Sequence, residues 1–416
     1  MTAAFAPFRS LRNPAFARLY LSQTTSLLGD ALTWVGLALL AFELAGSNSS
    51  VILGAALTLR VTAFVILSPL AGALADRLDR KLILVTSDLG RMLVIGLMPF
   101  VTQAWQVYVL MFALNALTAF FTPTYQATIP LVTGKDEYGQ AISLSGATFE
   151  ILGVLGPGIA GGIAALIGAR SIFWLDAVTF LISAVLILTL PQSLNAARDP
   201  TETSSATTWR DVRDGTVRLW SDAPMRYALL LELVASVAGA LVLVNTVGLV
   251  RGPLLRGGLG LGNLEYGWVM AAFGVGATLA ALAVGVLEKR LPRTRFVLLG
   301  AVVTTLAVLP ANFVPFAPLL VLWLVVGAGQ NWVNLPTQAL IADRTPTDAQ
   351  GRVYGAHFAW SHLWWALAYP LAGWLGSSLT NRGFLYGGLV GLLLLIVVQV
   401  FLVPRGSEYE KQSTLG

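Results

Sequence analysis

Gly72-Ala-Leu-Ala-Asp76-Arg77-Leu78-Asp79-Arg80-Lys81 joins two long apolar runs, residues 51–74 and 82–101. Five of its ten residues are charged, in a chain where only 11% are. Each flanking run is close to the ~20 apolar residues that a helix needs to cross a bilayer. Gly72 lets two helices approach closely. Asp76 can sit at the N-terminus of a neighbouring helix, where the macrodipole favours an anion, and Arg80 can pair with Asp76 or with another loop. Gly72, Asp76, Arg77 and Arg80 therefore make a candidate latch that forms and breaks on one membrane face. A tight turn carrying topology-setting charge is the plainer alternative, but topology alone needs no aspartate.

The rest of the chain fits that frame. Of 416 residues, 56% are apolar, and the mean hydropathy is +0.75. Too little polar surface exists to cover a water-soluble globule of this size, so lipid is the main solvent. This excludes a cytosolic enzyme, a disordered regulator and a nucleic-acid binder. With no cysteine there is no disulfide framework, thiol nucleophile or zinc–thiolate site.

About twelve apolar stretches are long enough to span: near 17–44, 51–74, 82–101, 106–131, 140–167, 171–190, 226–250, 263–287, 296–314, 318–341, 352–378 and 384–403. The first run is full length and lacks a cleavage site, so it is expected to be a retained span rather than a signal peptide. With both termini inside, the inner segments carry twenty Lys and Arg, including Arg9, Arg12, Arg18, Arg77, Arg80, Lys81 and the run Lys289 to Arg295. The outer loops carry four, namely Arg170, Arg251, Arg256 and Arg382. That asymmetry sets the topology and accounts for most of the +5 net charge.

Residues 191–224 form the one long polar segment. A Ser/Thr/Asp linker leads into an amphipathic stretch in which Trp209, Val212, Val217, Leu219 and Trp220 alternate with Arg210, Arg213 and Arg218. A basic amphipathic helix on the inner membrane face is expected. It divides the spans six and six, and the halves repeat. A shift of 212 residues places Gln126-Ala127 on Gln338-Ala339, Ile129 on Ile341, Asp136 on Asp348, Gly139 on Gly351 and Gly161 on Gly373. A shift of 213 places Gly72–Lys81 on Gly285–Thr294, which keeps the glycine and the basic character but loses the aspartates. Repeated halves with a site between them are a transporter architecture. The expected domains are 1–190, a cytoplasmic linker 191–225, a second six-helix bundle 226–404 and a cytoplasmic tail 405–416.

The 72–81 loop resembles the loop 2–3 signature of the major facilitator superfamily. Asn13-Pro-Ala-Phe16, Gly29-Asp30, Ser87-Asp88-Leu-Gly-Arg91, Pro123-Thr-Tyr-Gln126, Gly156-Pro157-Gly158-Ile-Ala-Gly161 and Leu175-Asp176-Ala177 are similar to its macrolide-efflux and siderophore-exporter branch of drug:proton antiporters. The resemblance implies the major facilitator fold and secondary transport by proton antiport. Gly156–Gly161 also fits GxGxxG, but it lies inside an apolar span with no preceding strand, which argues against a dinucleotide site. It resembles the Gly-Pro motif of antiporter span 5, with Ala160 where the strict pattern has glycine.

Ionisable groups inside spans are expensive and are functional candidates by default. Asp30 and Arg60 fall at the same depth on consecutive spans, so an Asp30–Arg60 contact is expected, either static or linked to proton or substrate. Glu150 and His362 lie near the midplane and are equivalent under the 212-residue shift. A desolvated carboxyl there can carry a proton at neutral pH, as can a histidine. Glu150 is the first coupling candidate and Asp30 the second, with His362 and Glu232 following. Asp88 and Arg91 read as an i,i+3 structural pair, and Asp176 as an interfacial residue. His357 and His362 are five apart and so on different faces, which disfavours a metal site.

Span 11 is rich in aromatics, with Trp360 and Trp364 in mid-span. They suit a cavity for a bulky or amphipathic ligand, although packing bulk explains them equally. Arg60, Trp34, Gln126, Asn331, Asn334, Gln338 and His357 complete the candidate lining, since Asn331, Asn334 and Gln338 share one helix face.

The sequence thus gives an all-α integral membrane protein in two pseudo-symmetric six-helix bundles. It is expected to be a multi-pass monomer of the cell inner membrane that exports a hydrophobic or amphipathic small molecule against protons, with no cofactor, metal or nucleic acid. Movement of a lipid, sugar or metal ion is the alternative within the fold, and a non-transporting receptor the alternative outside it. No nucleophile–base constellation, HExxH or phosphate loop supports an enzyme. If the 72–81 loop is a latch, Asp76→Asn slows flux while membrane insertion is unchanged. Equal flux at equal membrane abundance, measured in vesicles, removes the latch.

Overall fold

In lipid a helix is the one local structure that satisfies its own backbone N–H and C=O groups, and the apolar runs adopt it throughout. The computed structural model describes residues 7–75, 78–190, 194, 209–287, 291–379 and 381–402, and among these there is no strand. The helices are α1 (Pro14–Ala45), α2 (Ser49–Ala75), α3 (Arg80–Leu97), α4 (Ala104–Ile167), α5 (Ile172–Leu188), α6 (Trp209–Ser221), α7 (Ala223–Arg251), α8 (Asn263–Leu287), α9 (Arg293–Val308), α10 (Phe316–Arg344), α11 (Thr347–Ser378) and α12 (Gly383–Leu402). The 64-residue α4 is two segments broken at Gly134, whose φ of 68° and ψ of 177° are open to glycine but strained for other residues. Setting aside the short amphipathic α6, twelve segments remain.

By length and apolarity alone, eight stretches among the described residues qualify as spans, with α1 and most of α2 counted together as Pro14–Leu67. The bent pair Glu137–Gly153 and Leu155–Ile167 makes a ninth. Helix α5, with 17 residues, is just too short for that test. In α11 the Trp, Tyr and His content depresses hydropathy without removing apolar surface. Large apolar side chains point outward without cover, Leu166 at 86%, Leu282 at 74% and Phe401 at 75% exposure. Such a surface is stable in lipid and not in water.

Caps fix where the helices start. The Asn13 side chain accepts from the backbone N–H groups of Ala15 (3.0 Å) and Phe16 (3.3 Å), Asp79 from Lys81 (2.8 Å) and Asp222 from Met225 (3.0 Å), each satisfying a donor that the first turn leaves free. Pro14 and Pro224 occupy early positions where a missing N–H costs nothing.

The chain divides into two compact units: Met1–Leu44 with Leu59–Ala206 and Asn263–Gly267, and Ala45–Thr58 with Thr207–Gly262 and Trp268–Gly416. In the first unit, Phe16, Leu19, Leu84, Phe121, Tyr125 and Ile129 form a buried cluster, and α3 lies against α4 and α5. The first turn of α8 belongs to this unit because Gly267 meets Gly161 of α4 backbone to backbone. In the second, α9 packs on α10, and α7 on α11, α12 and α9. The start of α2 belongs here because Gly54 meets Tyr369 and Gly373 of α11. Helix α6 packs on α11 and α7, and a Cβ on its Gly215 would overlap the Arg352 carbonyl.

The repeat read from the sequence is visible in matching contacts. Arg80 at the start of α3 donates to the Ala127 carbonyl of α4 (3.0 Å), and Arg293 at the start of α9 donates to the Ala339 carbonyl of α10 (3.2 Å). These are the positions that the two shifts equate.

Close helix crossings in lipid rest on small residues because no hydrophobic force drives helices together there. At the α8–α10 crossing, a Cβ on Gly327 would overlap the Phe273 carbonyl and one on Gly276 the Leu324 carbonyl, whereas Gly355 meets nothing within 4 Å. Gly327→Leu is therefore expected to lower the thermal unfolding midpoint of the purified protein, while Gly355→Ala holds or raises it. Equal midpoints for Gly327→Leu and the parent chain contradict the crossing.

Candidate functional site

Among the described residues two groups of ionisable side chains lie inside the helices, one in each unit. In the first unit, Asp88 and Arg91 sit one turn apart on α3 and form an ion pair, with Asp88 at 0% and Arg91 at 2% exposure. Ser183 of α5 donates to the second Asp88 oxygen (2.7 Å). The Arg91 guanidinium lies between the rings of Phe121 (4.1 Å) and Phe180 (4.5 Å), a cation–π arrangement that holds it in place.

Asp176, also fully buried, belongs to the same neighbourhood. Thr33 of α1 donates to one carboxyl oxygen, and Thr179 shares its hydroxyl between the other oxygen (3.0 Å) and the Asp176 carbonyl (2.8 Å). Gly29 makes room for this, since a Cβ there would overlap both the Asp176 carboxyl and the Thr179 hydroxyl. The next residue, half-buried Asp30, is within the electrostatic reach of Arg91, Arg60 and Asp176. Arg60 of α2 lies over the Trp34 ring (4.2 Å). Residues 176, 180, 183 and 187 are all buried on α5, the stripe that a 3.6-residue period puts on one face.

In the second unit, His357 of α11 has its Nε2 2.9 Å from both oxygens of Glu232 on α7. The pair is sealed, with Glu232 at 7% and His357 at 9% exposure. Around it Leu219, Met225, Leu229, Ile341, Val353 and Trp364 form an apolar cluster, against which Leu233, Tyr354 and Trp360 pack. Trp220 of α6 meets Trp360 edge-on (5.0 Å), and the Trp364 indole N–H donates to the Leu229 carbonyl (3.0 Å). His362 lies apart from this group. Its ring is 3.8 Å from that of Phe358, and its Nδ1 is 2.8 Å from the Phe358 carbonyl.

The uncharged candidates divide. Asn331 donates to the Ala277 carbonyl of α8 (2.6 Å), and its neighbour Gln330 to Ala235 of α7 (2.6 Å), so both join helices. Asn334, Gln338 and Gln126 are exposed. Glu150 lies in α4, but its side chain falls outside the described residues, as do Asp76, Arg77 and the surroundings of Gly72. Beside Arg80, Lys81 donates to the Leu190 carbonyl (2.8 Å), and in the second half Arg293 pairs with Asp343. A shallow depression of about 430 Å³ lined by Leu379, Asn381, Arg382 and Tyr386 sits at the α11–α12 turn, remote in sequence from these ionisable groups. Among the described residues no three His, Cys, Asp or Glu side chains are placed to hold a metal ion.

Sequence reasoning did not foresee two features. Asp176 reads as interfacial because it lies near the start of its helix, yet the structure buries it against α1. Glu232 and His357 look separate in the sequence and are 125 residues apart. One signal was available for Asp176: it is the only charged residue in the apolar run 172–188.

A family model of the Major Facilitator Superfamily matches residues 19–254 and 233–415. The chain is 30% identical over 399 residues to YfiS, an MFS-type transporter of Bacillus subtilis, covering 91% of this chain and 92% of that one. It is 27% identical over 421 residues to the multidrug efflux pump Tap of Mycolicibacterium fortuitum, covering 97% and 98%. Among solved structures, the nucleoside transporter NupG superposes with a TM-score of 0.72 at 14% identity, over 94% of this chain and 99% of that one.

Removing one partner of a buried ionic pair leaves the other uncompensated, at a cost of about 3–5 kcal/mol, whereas replacing both by apolar groups is often near neutral. His357→Ala is accordingly expected to lower the unfolding midpoint clearly, and the double replacement Glu232→Leu with His357→Phe to restore most of it. A double variant no more stable than His357→Ala, measured by thermal unfolding in detergent, contradicts this account of the pair.

Proposed function

The chain belongs to the Major Facilitator Superfamily, and on that premise we propose that it exports a hydrophobic or amphipathic small molecule in exchange for protons. A multi-pass membrane transporter of a small-molecule solute, not an enzyme, is the established part. Direction, coupling and substrate class are the proposed part.

The observation that carries the coupling is the Glu232–His357 pair. Histidine is the one side chain whose ordinary charge change falls between pH 5 and 8. Here it is joined to a carboxylate within helices surrounded by lipid, where an ionisable group is costly to keep. A proton arriving at or leaving the pair changes the charge between α7 and α11, and an equilibrium between two conformations shifts when they differ in affinity for that proton. Asp30, Glu150 and His362 remain coupling candidates beside Glu232. Export of an amphipathic solute is supported by the likeness to a relative named as a multidrug efflux pump. Exposed Asn334, Gln338 and Gln126, and the Arg60–Trp34 stack, supply the polar and aromatic contacts that such a solute uses. The lysine and arginine asymmetry supports a topology with both termini on the cytoplasmic side. The 72–81 loop is proposed as the cytoplasmic latch.

Reconstituted into liposomes, the protein is expected to move ethidium uphill when a pH gradient is imposed and to stop when a protonophore collapses it. Glu232→Gln, which keeps the shape but not the charge, is expected to reduce gradient-driven movement at least tenfold while downhill exchange continues. Uphill movement indifferent to the gradient overturns the reading.

A further inference from the structure

We propose that the end of the second unit away from α6 carries a binding site for one anionic phospholipid. Arg382, in the depression at the α11–α12 turn, takes the phosphate, and Leu254 and Leu255 of the neighbouring α7–α8 loop lie along the acyl chains. The site goes beyond solute export and does not depend on it.

Charge points there first. Helix α7 starts beside α6 and runs for 29 residues, about 43 Å at 1.5 Å per residue, so the α7–α8 loop belongs to the opposite end. The α9–α10 and α11–α12 connections lie together at one end too, because Asn312 of the former accepts from the Phe384 N–H in the first turn of α12 (3.0 Å). On the topology read from the sequence this is the face where lysine and arginine are scarce. Of the four arginines expected there, Arg170 has an acidic partner in Glu43. The other three, Arg251, Arg256 and Arg382, all belong to the second unit. Its connecting segments at this end, 252–262, 309–315 and 379–382, hold no aspartate or glutamate. Membrane topology does not call for that surplus, and a phosphate group answers it.

The loop and the depression adjoin. Gly257 sits so close to Asn381 that a Cβ on it would stand 2.8 Å from the Asn381 Oδ1, and Asn381 lines the depression with Leu379, Arg382 and Tyr386. Its volume of about 430 Å³ falls within the ~300–1,000 Å³ of small-molecule sites. The Arg382 backbone is fixed, its N–H donating to the Leu379 carbonyl (2.8 Å) and its own carbonyl accepting from the Tyr386 N–H (3.0 Å). Its side chain is exposed and makes no ion pair among the described residues. A guanidinium presents paired N–H donors that match phosphate oxygens, and tyrosine is a residue type that marks the membrane–water interface.

The loop displays its apolar side chains on a fixed backbone. Leu254 is 74% and Leu255 98% exposed. Yet Leu259 donates to the Leu249 carbonyl (2.8 Å), Gly260 to Gly252 (2.8 Å) and Leu261 to Val250 (2.9 Å). Gly257 and Gly260, with φ of 74° and 65°, permit the tight reversal. Two leucines held out by an ordered loop mark an interaction surface. At the end of a membrane-spanning helix and beside arginines, the occupant that meets both chemistries at once is a lipid with an anionic headgroup.

Native mass spectrometry of the purified full-length chain, titrated with phosphatidylglycerol, tests the site. One tightly held phosphatidylglycerol is expected, with phosphatidylcholine held more weakly. Arg382→Gln is expected to weaken retention about tenfold, the loss that one charge-assisted hydrogen bond gives. The double replacement Leu254→Ser with Leu255→Ser is expected to weaken it as well. Both sites are exposed, so these variants are expected to unfold at the parent chain's midpoint when no lipid is added. Arg12→Gln, which removes an exposed cation of the first unit, is expected to leave retention unchanged. Equal retention by the parent chain and Arg382→Gln overturns the proposal. An equal loss in Arg12→Gln also overturns it, since it marks diffuse attraction to a basic chain. Retention that inorganic phosphate abolishes and the leucine replacements leave intact identifies a free-anion site and overturns the lipid.

Discussion

Lipid offers no hydrogen bonds, so a polar group carried into the bilayer is costly there without a partner inside the protein. The consequence runs through this structure from the smallest groups to the largest. Threonine hydroxyls turn back on their own helices: Thr124 donates to Phe120 and Thr128 to Thr124, Thr304 to Gly300 and Thr337 to Val333. Amides bind helices together, as Asn331 does to α8 and Gln330 to α7. Charges gather where other charges or hydroxyls already are. Within the described helices Asp88 is drawn to Arg91, and Glu232 to His357, in this way.

The two groups are built differently. In the first unit Arg91, clamped between two aromatic rings, pairs with Asp88, which also accepts from Ser183. In the second, one histidine serves one glutamate. Glycines at the helix crossings make both possible, because a carboxyl can rest on α1 only where Gly29 has no side chain, and α6 can approach α11 only where Gly215 has none.

Duplication explains why the same contact appears twice. Arg80 reaches Ala127, and Arg293 reaches Ala339. The second copy adds Asp343, which makes up for the aspartates that its loop has lost. The buried charged groups differ between the halves, Asp88 with Arg91 in one and Glu232 with His357 in the other.

Composition, the lengths of the apolar runs and the 212-residue repeat were enough to determine an all-helical membrane protein in two related halves, because lipid leaves the chain almost no other backbone solution. The charged loop at 72–81 and its motif were enough for the family. The i,i+3 pairing of Asp88 with Arg91 was legible too, since it lies within one helix. Partners that come from different helices were not. Asp176 finds Thr33 across 143 residues, and Glu232 finds His357 across 125. Those distances are set by how each helix is rotated about its axis and which neighbour it meets. Helix rotation depends on small residues such as Gly29 fitting against a particular side chain, a fit that periodicity does not encode. The sequence decided that these charges enter the membrane, and only the tertiary structure decided which of them meet.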